Sequence, residues 1–257
     1  MLKLIPILTC LLFASIYPLC FWISFSEPLK NNFHRFHLGI SVFVGGIAVI
    51  ALFLEPLSSV AKNLLLVWVL LLTSFSYLYW KKDYPNPFFL SLPCGLGMIV
   101  FAEIYQEFIS PDKIQIMVSL LGGFILCTSI YAMNLGHWYL NVHGLPIRHL
   151  VRTVNVLGVL LLIRLIGDVY GLFIHELFFN GDLVPLYVFM GRMDGFLLWP
   201  ALFFGTLFPF ISLYFVQGTL KVKSTQSATG ILYVILIAVL IGDLTYKYYL
   251  LKYGIAL

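Results

Sequence analysis

Charge is scarce in this sequence: Lys, Arg, Asp and Glu make up 10% of its 257 residues, against about a quarter in an ordinary globular chain. A chain so poor in charge lacks the polar surface of a soluble fold, and with 61% hydrophobic residues it carries more apolar area than a water-exposed particle can hide. No polar stretch is long enough to make a separate soluble domain. A single membrane domain is therefore expected over residues 1–257.

Other absences narrow the function. The four cysteines, Cys10, Cys20, Cys94 and Cys127, lie inside apolar segments without CxxC spacing, which excludes a thiolate zinc site and a disulfide framework and leaves them as small core residues. No P-loop, Rossmann fingerprint or nucleophile elbow is present. Nor is there an HExxH, and the repeated HxxxH or HxxHH boxes of membrane di-iron hydroxylases and desaturases are missing as well. No internal repeat supports an inverted-repeat transporter. The formal charge of +4 comes from basic residues spread over every loop, without the dense patch that nucleic acid demands. Lipid head groups are the expected contact.

What remains is a series of long apolar runs. A hydrocarbon layer about 30 Å thick is crossed by about 20 helical residues. That ruler predicts spans near 4–25, 38–57, 64–80, 88–108, 115–140, 150–173, 196–216 and 230–250. The fold class is thus all-α, a polytopic integral membrane protein with about eight transmembrane helices in one bundle. Turn residues fall between the runs, at Ser26-Glu27-Pro28, Glu55-Pro56, Lys81 to Pro85, Ser110-Pro111-Asp112 and Gly144-Leu145-Pro146. The basic start at Lys3 and the apolar run to Phe25 mimic a signal peptide, but the run is long enough to span and lacks a small-residue cleavage site, so it is expected to stay as the first span. The connection from about His175 to Gly195 is expected to lie in the interface or to re-enter the protein.

An even number of spans puts both termini on one side, here called side A. Side B receives Lys30, Arg35, Lys81, Lys82, Arg148, Arg152, Lys221 and Lys223, while side A receives Lys3, Lys62, Lys113, Arg192, Lys247 and Lys252. The positive-inside rule favours side B as cytoplasmic. The termini are then non-cytoplasmic, and the expected home is a bacterial inner membrane or an equivalent energy-transducing membrane.

Two layers of the spans carry candidate chemistry. His34, His37, His137, His143 and His149 all fall at or near side B, and only His175 falls on side A. His37, His137 and His149 sit at one depth on three spans, so a b-type haem held by His37 with His137 or His149 is one expectation, and an aromatic head-group belt with Trp138 and Tyr139 is the other. Deeper, Glu103, Arg164 and Asp243 each lie about 21–22 Å from side B at 1.5 Å per residue. Charges at such depth cost about 2.5–3.5 kcal/mol each on the insertion scale, which predicts that they face one another or a wet cavity. Asp168, at i+4 from Arg164, and Glu107, at i+4 from Glu103, extend this layer. Glu103 is the expected proton carrier, and Arg164, always charged, the group that holds an anion or a carbonyl. Near side A, Glu176, Asp182, Arg192 and Asp194 are expected to form a solvated mixed-charge surface.

The glycines Gly45-Gly46, Gly122-Gly123, Gly95 and Gly97 are expected to allow close helix approach. Pro93, Pro200 and Pro209 are expected to kink the fourth and seventh spans.

Together these features predict an accessory membrane subunit of a respiratory or photosynthetic electron-transfer complex, with haem b or quinone as its cofactor and other subunits as partners. The Glu103, Arg164, Asp168 and Asp243 layer would handle protons or hold a head group. A proton- or ion-coupled transporter or channel, and a structural or assembly subunit, are the alternatives.

Overall fold

The computed structural model describes residues 2–25, 29, 32–109, 112–142, 144–179 and 181–257. The expected turns at Ser26-Glu27-Pro28 and Ser110-Pro111, and the residues Lys30, His143 and Asn180, lie outside these. Helix accounts for 81% of the protein, and among the described residues eight helical spans are long and apolar enough to cross a membrane. The all-α membrane architecture expected from composition is the one observed.

The chain divides into two compact units, residues 2–116 and 117–257. In the N-terminal unit, α1 (Leu4–Ile16) continues as a 3₁₀ segment (Tyr17–Ser24), followed by α2 (Phe33–Phe53), α3 (Ser59–Trp80) and α4 (Pro87–Phe108). The tightening after Ile16 coincides with Pro18, whose missing N–H removes an α-helical hydrogen bond. The core of this unit gathers on Trp68, which is fully buried. A Cβ at Gly45 would stand 3.2 Å from Ala14 and 3.3 Å from Trp68, and one at Gly97 would stand 2.5 Å from the Trp68 ring nitrogen. These two glycines let α2 and α4 close on α1 and α3. Gly46 and Gly95 face open space.

The third span begins earlier than the expected residue 64. Ser58 caps α3 by accepting from the Ala61 N–H at 3.1 Å, and Glu107 on α4 accepts both the Ser58 N–H, at 3.0 Å, and the Ser58 hydroxyl. A carboxylate at a helix N-terminus is favourable. It lets the helix start before the polar pair Lys62-Asn63, which made the apolar run look short. Glu107 is therefore an anchor between α3 and α4.

The C-terminal unit takes in the rest of α5 (Lys113–Asn141), then α6 (Arg148–Ile174), a hairpin, a short α7 (Leu186–Phe189), α8 (Leu198–Leu202), a π segment (Phe203–Leu207), α9 (Phe208–Lys221) and α10 (Thr225–Tyr253). At 27 to 29 residues, α5, α6 and α10 rise about 40–44 Å, so their ends pass beyond the hydrocarbon layer. α10 ends where Gly254 takes a left-handed conformation, φ 69°.

The connection after α6 folds as an antiparallel hairpin of β1 (Glu176–Phe179) and β2 (Asp182–Pro185), turning at Gly181 with φ 95°. Alternation along the strands sends Leu177 and Val184 inward, where they join Phe189, Met190, Leu198, Tyr249, Ile255 and Leu257 in an apolar cluster. Glu176 and Asp182 are both exposed.

Pro200 and Pro209 bracket the π segment of the seventh span. Pro209 cannot donate to Gly205, and Phe208 donates instead to Phe203, one residue further back. The inserted residue rotates what precedes it and turns Thr206 into the unit.

Candidate functional site in the C-terminal unit

Two i,i+4 ion pairs on different helices form the polar heart of this unit. On α6, the Arg164 Nε donates to Asp168 Oδ1 at 3.2 Å, and both side chains are at most 5% exposed. On α10, Lys247 pairs with Asp243 Oδ2, each side chain 7% exposed. The helical repeat of 3.6 residues puts i and i+4 on one face, so each helix carries its own charge compensation into the apolar layer. Arg164 and Asp243 each lie ten residues before the end of their helices at Ile174 and Tyr253, about 15 Å along the axis.

Uncharged hydroxyls tie the α6 pair to the neighbouring elements. Tyr246, one turn from Asp243, donates to Asp168 Oδ2 at 2.8 Å. Thr206, from the π segment, donates to the same oxygen at 2.7 Å, and the two hydroxyl oxygens are 3.1 Å apart. The Arg164 guanidinium lies 3.9 Å from the Tyr246 ring centroid and donates to the Val118 carbonyl of α5 at 3.4 Å. Asp168 thus accepts from Arg164, Thr206 and Tyr246, a set of charge-assisted bonds that offsets the desolvation of its carboxylate. The approach depends on Gly205 and Gly242: a Cβ on Gly205 would stand 3.2 Å from the Gly242 Cα. Only with both side chains absent do the π segment and α10 meet closely enough for Thr206 to reach Tyr246.

Of the deep layer expected from the sequence, Arg164, Asp168 and Asp243 come together here. Glu103 belongs to α4 in the N-terminal unit and is exposed. Thr206 and Tyr246 carry no charge and stand out in no sequence pattern; Pro200 and Pro209 around Thr206 are the one signal near it, and Tyr246 has none. Lys247 was counted among the side A loop charges, yet it is buried as the partner of Asp243.

The histidine layer is distributed differently. His34 and His37 lie on α2 in the N-terminal unit, His137 and His149 in the C-terminal unit. His37 is buried, with Tyr17 Oη 2.6 Å from its Nδ1 and the rings of Phe33, Phe36, Phe21 and Tyr17 around it. His34 donates through Nε2 to the Tyr79 carbonyl at 3.2 Å, and its buried Nδ1 has no hydrogen-bond partner among the described residues. It borders a gap of about 40 Å³, room for one or two waters and far below the volume of a haem pocket. His149 is buried and His137 exposed. Among the described residues, no three His, Cys, Asp or Glu side chains converge as a metal site.

No protein-family model matches this chain, and comparison with curated proteins and with solved structures finds no similar one. The site has to be read from its own chemistry.

Proposed function

We propose that the protein is a proton- or ion-coupled membrane protein, its coupling site the Arg164, Asp168, Thr206, Tyr246, Asp243 and Lys247 network. One observation carries this reading: two carboxylates and two cations are buried in membrane-length helices, and the Thr206 and Tyr246 hydroxyls, which both donate and accept protons, tie the α6 carboxylate Asp168 to the π segment and to α10. A network serving only to orient helices needs one pair. Two buried pairs cost more desolvation than packing alone repays, and intramembrane ionisable groups are retained where protons or ions pass. Reconstituted vesicles under an imposed potential test the proposal. Proton uptake through the wild-type protein should be lost in Asp243→Asn and Asp168→Asn, and uptake equal to that of protein-free vesicles would remove the reading.

The electron-transfer reading draws on one feature of the N-terminal unit, the open Nδ1 of His34 beside buried His37, imidazoles of the kind that ligate metal or donate to a quinone carbonyl. Its test is a reduced-minus-oxidised spectrum of the purified protein together with quinone extraction; no haem band and no quinone would end it. On either reading the protein would work in an energy-transducing membrane, with its termini on the non-cytoplasmic side by the loop charge bias.

A further inference from the structure

Beside Arg164 and the Asp243–Lys247 pair lies a gap of about 10 Å³ whose polar walls are Ser119, Arg164, Asp243, Tyr246 and Lys247, with Gly122 at its edge. A second gap of about 10 Å³ borders Gly122, Arg164, Asp243 and Tyr246 from the other side. Gly122 keeps this space open, because a Cβ there would stand 2.9 Å from Asp243 Oδ1 and 3.5 Å from an Arg164 terminal nitrogen. Lys247 occupies Asp243 Oδ2, so Oδ1 is the oxygen turned toward Gly122. Independently, Ser119 Oγ is a buried hydroxyl, its residue 6% exposed, with no hydrogen-bond partner among the described residues. A buried hydroxyl without a partner is costly, and this one lines the first gap.

Size and charge decide what fits. A volume of about 10 Å³ available to a water-sized sphere is that of a single water. Two carboxylates against one guanidinium and one ammonium sum to zero, so an added cation or anion would bring an uncompensated charge into a desolvated site. A neutral occupant with both donors and acceptors meets both conditions.

We propose that Gly122 holds open a one-water site in which a water bound by Ser119 and Asp243 Oδ1 relays a proton between the two ion pairs. The inference rests on the proton-coupling reading and specifies its ligand. In the relay, protonated Asp243 gives its proton to the water oxygen, the water passes one of its own protons to the Tyr246 hydroxyl oxygen, and Tyr246 releases its hydroxyl proton to Asp168 Oδ2. One proton moves from Asp243 to Asp168, and the water and the phenol are regenerated.

The test combines a high-resolution structure of the full chain in lipid nanodiscs with proton uptake in vesicles, for wild type, Gly122→Ala and Ser119→Ala. The expected result is ordered density for one water between Ser119 and Asp243 in the wild type, its loss in both variants, and uptake lowered at least tenfold. Ser119→Ala removes a hydroxyl without adding volume and decides the matter should Gly122→Ala fail to fold. Wild-type density without that water overturns the inference, as does undiminished uptake in Ser119→Ala. A water present in a protein that moves no protons leaves the site standing and removes the coupling role, so the two failures are distinct.

Discussion

Asp168 is the residue on which most of the polar network converges. It accepts from a guanidinium and two hydroxyls, so Asp168→Ala strands the Arg164 charge without a carboxylate. Removing one partner of a buried ion pair costs about 3–5 kcal/mol. Chemical unfolding in detergent should show a loss in that range for Asp168→Ala and a smaller one for Asp168→Asn, which keeps an acceptor. A cost below about 1 kcal/mol, typical of exposed pairs, would mean that the carboxylate is wet. Tyr246→Phe, which removes one bond to a charged acceptor, should cost about 1.5–3 kcal/mol. At this scale the sequence was partly legible. The i+4 spacing set Asp168 beside Arg164 in the deep layer, but depth alone offered Asp243 as the salt-bridge partner of Arg164, whereas Arg164 pairs with Asp168 and Asp243 with Lys247. Lys247 lies six residues from the end of α10 and reads as a head-group lysine until Asp243 is seen beside it. Thr206 and Tyr246 resemble many other hydroxyl residues here, since nothing in one dimension says which of them meets a carboxylate.

At the level of elements, glycine does two different jobs that composition cannot separate. Gly205 and Gly242 are in backbone contact, and Gly45 and Gly97 accept the Trp68 ring, while Gly46, Gly218 and Gly230 have nothing within 4 Å of a would-be Cβ. Gly242→Ala should therefore push α10 off the π segment, break the bond between Thr206 and Tyr246, and lower the thermal midpoint. Gly230→Ala, inside α10 and facing open space, should leave the midpoint unchanged or raise it, by about 1 kcal/mol of helix propensity. Equal effects of the two, read by thermal denaturation of the purified protein, would contradict the assignment of close packing. The sequence offered Gly45 and Gly46 as an equivalent pair because a 3.6-residue repeat is not resolved by two neighbours; the structure assigns the contact to Gly45 alone. The early start of α3 was hidden for a similar reason, since its capping carboxylate, Glu107, lies forty-nine residues away.

For the whole molecule, the number of spans was the most legible property, because twenty apolar residues per crossing is a constraint set by the bilayer rather than by tertiary contacts. Lys3, Lys81 and Lys252 are all exposed, and one crossing per candidate span predicts Lys3 and Lys252 on one side of the membrane and Lys81 on the other. A membrane-impermeant thiol reagent should label Lys3→Cys and Lys252→Cys from the same side of sealed vesicles and Lys81→Cys from the opposite side. Labelling of Lys3→Cys and Lys252→Cys from opposite sides would require an odd number of crossings. The division into two units was not legible, since every span is similarly apolar and the break falls at Ile116–Met117, within α5.

Proton movement through the C-terminal ionic network is read out by proton uptake into vesicles containing the purified protein, followed with an internal pH-sensitive dye under a potassium-diffusion potential. Uptake should be abolished by Asp243→Asn and retained in Glu176→Gln, which alters only an exposed carboxylate of the hairpin. Uptake that survives Asp243→Asn at the wild-type rate would contradict a proton path through this network.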